Sequence, residues 1–271
     1  LQAPDTVTPD RKYNDIARYI AGMKQEPGST LSPKLEKDTV WIRYAKNFET
    51  EWQAAERARL KPMAQWSVTE LAAEHKANLD VFYPFSGPDI LHADVLFPAA
   101  KHYYLYGLER SGALPDLIHM RTKDIDAYLP AIYTSLSDIL VKSYFITKDM
   151  LNDLQKERVN GTLPLMCIFL VRNNCEIINV KYFHLNDDGT EVQLNKDSLP
   201  VHSNDFVKVY FKHLHDTALQ VVSYIKCDLS DEGLQKNKGL TAWLNTMPTA
   251  FTYLKSASYL LHDPHFATMR A

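Results

Sequence analysis

Residues 206–228, FVKVYFKHLHDTALQVVSYIKCD, decide the fold class. Val207, Val209 and Phe211 alternate with Lys208, Tyr210 and Lys212, the two-residue period of a strand with two different faces. His215-Asp216-Thr217 supplies a turn and Ala218–Asp228 resumes the alternation, so this stretch predicts an antiparallel hairpin. Just before it, Leu163–Val171 and Glu176–Leu185 flank Arg172-Asn173-Asn174, which predicts a second hairpin. The two together predict a four-stranded antiparallel sheet with one wet face.

Toward the N-terminus the period changes. Tyr13, Ile16, Ala17 and Ile20 follow Thr8-Pro9-Asp10 at helical spacing, and Gly28–Pro33 interrupts them. Trp41, Tyr44, Phe48, Trp52 and Ala55 form the apolar stripe of a helix expected over Leu35–Leu60, with Lys61-Pro62 as its end and Val68–His75 as a third helix. A strand over Asn78–Phe85, a helix over Ile90–Leu96 and a strand over Lys101–Leu108 predict a small crossover unit. Further helices are expected at Lys123–Leu140, Thr147–Lys156, Gly239–Thr246 and Thr249–His262. The predicted class is therefore α+β: a helical N-terminal third, a strand-helix-strand unit, an antiparallel four-stranded sheet of two hairpins, and C-terminal helices. No repeat or linker divides the chain, so one domain is expected over 1–271, with a helical arm at 9–75 and a mixed core at 76–271.

Composition narrows the function classes. Apolar residues make up 45% of the 271, enough for a large core, and charged residues 23%. The net charge of −3 and the scattering of Lys and Arg among acids argue against a nucleic-acid partner, which demands a basic stripe. No apolar run approaches the roughly 18–20 residues of a membrane helix. The polar, Pro-containing stretch Leu1–Asp10 reads as a mature N-terminus just past a cleavage site, which predicts export. Three cysteines, Cys167, Cys175 and Cys227, lie in or beside apolar runs and read as buried thiols, with at most one disulfide among them.

The most distinctive candidate site is Tyr83-Pro84-Phe85-Ser86-Gly87-Pro88-Asp89. A serine between a strand and a helix suggests a nucleophile elbow, but Pro84 and Pro88 occupy both positions where G-x-S-x-G requires glycine. The structural reading is stronger: Ser86 caps the turn, Gly87 takes an unusual backbone angle, Pro88 opens the helix and Asp89 complements its dipole. If the site were catalytic, Ser86 or Asp89 would need a histidine, and His92 and His262 are the candidates. As a binding turn it would use Tyr83, Ser86, Gly87 and Asp89, with Lys255, Ser256 and Ser258 relevant if they face it across a cleft. His213 and His215, on one strand face at a hairpin tip, are candidate metal ligands. Only nine glycines are present and no glycine-rich phosphate loop, so no nucleotide or other cofactor is expected.

Two stretches, YPFSGPDILHADVLFP with YYLYGLERSGALPD (Tyr83–Asp116) and FTYLKSASYLLHDPHF (Phe251–Phe266), together resemble a family of uncharacterised bacterial proteins, exported or lipoprotein-like, that carry a YPFSGPD motif and a KSASYLLH helix. The resemblance implies a bacterial, periplasmic or extracellular location and no particular activity. Its members continue past the helix around Lys255–His262, which implies a further C-terminal portion beyond Ala271. Tyr253, Leu254, Ala257, Leu260 and Leu261 would then form an apolar helix face that a protein partner covers. The expected function is an exported binding or scaffold protein, an accessory subunit of a cell-envelope assembly. The alternative is a hydrolase using Ser86 or Asp89 with a nearby histidine.

Overall fold

A computed structural model describes residues 7–77, 80–142, 159–195, 204–214, 216–255 and 258–270. The expected helix over Thr147–Lys156 lies outside them, as do Ser256, Ala257 and His215. The class is α+β, but the four-stranded antiparallel sheet is replaced by a seven-stranded mixed one.

The chain begins with α1 (Arg11–Ile20), capped by the Asp10 carboxylate on the Lys12 N–H. Helix α2 (Thr39–Ala55) is capped by Asp38 and buries Trp41, Tyr44, Phe48, Trp52 and Ala55, the stripe read from the sequence. It does not stop at Lys61-Pro62. One π turn (Glu56–Leu60) leads straight into α3 (Lys61–Glu70), and this local change of winding carries the helix through Pro62, which has no N–H to donate. A short α4 (Ala72–Ala77) follows.

Strand β1 (Asp80–Tyr83), helix α5 (Ile90–Leu96) and strand β2 (His102–Gly107) form the expected crossover unit, with β1 and β2 parallel and Phe82 opposite Tyr104. Helix α6 (Thr122–Lys142) packs along α2. The largest local correction is Leu163–Val171, which forms a helix, α7 (Leu163–Arg172), buried on every side. A run of nine apolar residues has no polar face to set a period, and Pro164 in the first turn suits a helix better than a strand. There is therefore no first hairpin: Arg172-Asn173-Asn174 ends α7 and leads into β3 (Cys175–Leu185).

Strand β3 pairs antiparallel with the short β4 (Glu191–Gln193) on one side and with β5 (Asp205–His213) on the other. Strands β5 and β6 (Gln220–Lys226) make the expected hairpin. β6 then pairs parallel with β2, joining the hairpin to the crossover unit. Helices α8 (Asp231–Lys236) and α9 (Lys238–Leu244) precede β7 (Ala250–Thr252), which adds parallel to β1. The strand order is β4-β3-β5-β6-β2-β1-β7, an antiparallel half fused to a parallel half through β6. A C-terminal helix over Thr249–His262 is not formed; β7 takes its start, and 3₁₀ turns at Ser258–His262 and Pro264–Phe266 precede the short α10 (Ala267–Arg270).

Both faces of the sheet are covered. Tyr103, Leu105, Val207, Val209, Phe211, Val222 and Tyr224 face α1, α2, α5, α6 and α7, while Tyr104, Tyr106, Phe206 and Ile225 pack with Leu234, Leu240 and Trp243 of α8 and α9. The face expected to be wet is closed over as well. Lys208 is buried there over the Phe183 and Phe206 rings, paired with Glu191, which also accepts from the Trp243 indole at 2.9 Å. A bulge between Ile177 and Asn179 shifts the alternation by one, so Cys175 and Ile177 before it face the same layer as Val180 and Tyr182 after it, while Phe183 and Leu185 face the other. Among the described residues no helix is long and apolar enough to cross a membrane.

Candidate functional site

The chain leaves β1 toward α5 on one face of the sheet and leaves β7 toward α10, which packs beside α8, on the other. The carboxyl ends of adjacent parallel strands are the usual place for a site in such sheets. Tyr83, Asp89, His92 and Lys255 meet there.

The turn 84–89 is built to fit β2. Phe85 and Gly87 both take positive φ (57° and 55°), which glycine adopts freely and phenylalanine does not. Phe85 is held by the Phe266 ring, edge-on with centroids 5.3 Å apart. The close approach demands glycine on the other side too: a Cβ on Gly107 would lie 2.5 Å from the Tyr224 hydroxyl and 3.0 Å from Gly87 Cα. Ser86 is buried, donates to the Tyr106 carbonyl (3.1 Å) and accepts from the Tyr106 N–H (2.9 Å), so it extends the sheet ladder rather than capping the helix. The Gly87 N–H also donates to the Tyr106 carbonyl.

Asp89 is the cap of α5. Its Oδ1 accepts from the His92 N–H (3.3 Å) and lies 2.6 Å from His92 Nδ1; its Oδ2 accepts from Tyr83 Oη (3.0 Å) and from Lys255 Nζ (2.9 Å). Lys255 Nζ is also 2.8 Å from His92 Nδ1, so that nitrogen either donates to Asp89 or accepts from Lys255 in any one proton arrangement. Asp89 and His92 are each 2% exposed, and Lys255 is the member that reaches solvent. Burial pushes the Asp89 carboxyl up, but His92 and Lys255 overcome it and hold it down at about 2. Burial and the Asp89 charge raise Tyr83 far above the ordinary tyrosine range, so it stays a donor. Tyr253, expected on an apolar helix face, packs against Tyr83 with the rings tilted at 54° and centroids 4.4 Å apart.

The structure thus unites Tyr83, Asp89, His92 and Lys255. Ser86 and Gly87 sit beside them, but the Ser86 hydroxyl bonds main chain and no histidine is among its partners. His262 is exposed at the end of a 3₁₀ turn, and Ser258 opens that turn. Among the described residues, the serines that meet histidines are Ser67 with His75 (2.9 Å) and Ser223 with His102 (2.7 Å); both serines are buried, and Ser67 also donates to the Leu96 carbonyl.

His213 lies elsewhere, 3.1 Å from Asp94 Oδ1 through Nε2 and 3.5 Å from Cys175 Sγ through Nδ1. Composition flags none of this trio beyond His213. All three cysteines are free thiols. A solvent-open cavity of about 600 Å³ lies apart from both clusters, at the end of β6 between Lys226, Asp228 and Lys238. Compared with known protein-family models, curated proteins and solved structures, the chain matches none.

Proposed function

We propose that the chain is a non-catalytic binding or scaffold protein, exported and acting as an accessory subunit of a bacterial cell-envelope assembly. The observation that carries the non-catalytic reading is the closure of the Asp89 cluster: its carboxylate is saturated by Tyr83, His92 and Lys255, and the neighbouring Ser86 hydroxyl bonds the β2 main chain. Such a cluster ties the segment after β7 to α5. Export rests on the family resemblance. For a partner surface, Leu254 (37% exposed) and Tyr259 (68%) remain uncovered on the C-terminal segment although its helix is absent and Tyr253 is turned inward.

The test is native isolation of the full chain with mass spectrometry of what accompanies it, repeated with Leu254→Asp combined with Tyr259→Ser. The expected result is a partner retained by the natural chain and released by the double variant at unchanged thermal stability. A lone monomer that turns over a hydrolase substrate panel, and loses turnover in Lys255→Ala, contradicts it. That outcome would favour the second reading, a hydrolase in which the 2.6 Å Asp89–His92 contact moves a proton, with a nucleophile other than Ser86.

A further inference from the structure

We propose that Asp94, Cys175 and His213 bind one zinc ion, with a fourth position open to water. The three come from three elements. Asp94 is on α5, Cys175 opens β3 and His213 closes β5; the ladder register places Cys175 and His213 directly opposite each other. A carboxylate oxygen, a thiolate and an imidazole are the ligand types that borderline-soft zinc selects.

The distances fit. A tetrahedral zinc with Zn–S of about 2.3 Å and Zn–N and Zn–O of about 2.0 Å sets sulfur and nitrogen about 3.5 Å apart and nitrogen and oxygen about 3.3 Å apart. Cys175 Sγ to His213 Nε2 is 3.9 Å and Nε2 to Asp94 Oδ1 is 3.1 Å. All three ligand atoms lie within 4.8 Å of one another.

The surroundings orient the carboxylate as an outer shell does. Asn173 Nδ2 donates to Asp94 Oδ2 at 3.0 Å, which turns Oδ1 toward the trio. Tyr103 Oη stands 3.2 Å from Oδ1 and 2.7 Å from the Phe97 carbonyl, so its single proton can go to Phe97 and leave Oδ1 as a ligand. Asp94 and Cys175 are 2% and 3% exposed, whereas His213 is the member at the rim. Unlike Asp89, Asp94 has no lysine or arginine among its hydrogen-bond partners in the described residues. On binding, the thiol releases its proton to solvent as the Zn–S bond forms. One Zn²⁺ against one thiolate and one carboxylate leaves the buried site neutral, which removes the cost of an unpaired charge there.

The full chain, stripped with a chelator, is titrated with zinc and separately with cobalt(II). One equivalent should bind, raise the thermal midpoint and, with cobalt, produce a thiolate-to-metal charge-transfer band. Cys175→Ser should abolish that band and weaken zinc binding by about 100-fold or more, and His213→Gln, at the rim, by at least about 10-fold. Cys227→Ser should change nothing. The absence of stoichiometric binding to the natural chain, or binding unchanged in both Cys175→Ser and His213→Gln, overturns the proposal.

Discussion

Two buried aspartates stand five residues apart, Asp89 capping α5 and Asp94 within it, and they are served differently. Asp89 sits at the carboxyl ends of the parallel strands and takes donors from Tyr83, His92 and Lys255, one of them a full positive charge. Asp94 sits beside the antiparallel strands and, among the described residues, has a hydroxyl, an amide and an imidazole within hydrogen-bond reach, with a thiol beyond the imidazole. A buried carboxylate with a lysine is complete as it stands and belongs to architecture. One with soft neighbours and no fixed cation is matched to an ion from outside. The same helix thus fastens the C-terminal segment at one end and presents a ligand set further along.

The sharpest way to break this contrast is Asp89→Ala. Removing one partner of a buried pair strands the other, so a loss of about 3–5 kcal/mol is expected in chemical denaturation. A cost near zero would mean the cluster is not the tie described. Next in size is acid. Asp89 is held at about 2 when folded, against roughly 3.9 unfolded, so its contribution is full above about pH 5 and is lost as pH falls from there through about 2, roughly 2.6 kcal/mol in all. Comparison of acid unfolding in the natural chain and in Asp89→Asn checks this: the variant should lack that portion of the pH dependence.

Ser86→Ala should cost about 1–2 kcal/mol by leaving the buried Tyr106 N–H without its acceptor. Equal catalytic loss in a substrate screen would restore Ser86 as a nucleophile. The smallest effect is Tyr83→Phe, which removes one of several donors to Asp89 and should cost about 0.5–1.5 kcal/mol, read from the thermal midpoint.

What the sequence made legible follows the range of the interactions. The β5–β6 hairpin could be read because its period is two and its turn is local, and the α2 stripe because its period is helical. The β1–α5–β2 unit is contained in Asp80–Gly107, and Tyr83, Asp89 and His92 lie within ten residues of each other. The helix α7 was hidden by a run of apolar residues without period, where Pro164 was the informative signal. The mixed sheet was hidden because β2 pairs with a strand more than a hundred residues away. At the C-terminus, Tyr253, Leu254, Leu260 and Leu261 have helical spacing, yet Ala250–Thr252 gain ladder bonds to β1 that a helix could not provide. Lys255 was a candidate only on the condition that it faced Asp89, which the sequence could not test. The pairing of Cys175 with His213 depends on the β3–β5 register, and no local pattern encodes it.

The two aspartates do different work, and the zinc-dependent shift of the thermal midpoint in the natural chain, in Asp89→Asn and in Asp94→Asn tests this most directly. Asp89→Asn should lower the starting midpoint and keep the zinc-induced rise, while Asp94→Asn should lose the rise. A rise that survives in Asp94→Asn, or disappears in Asp89→Asn alone, would contradict the account.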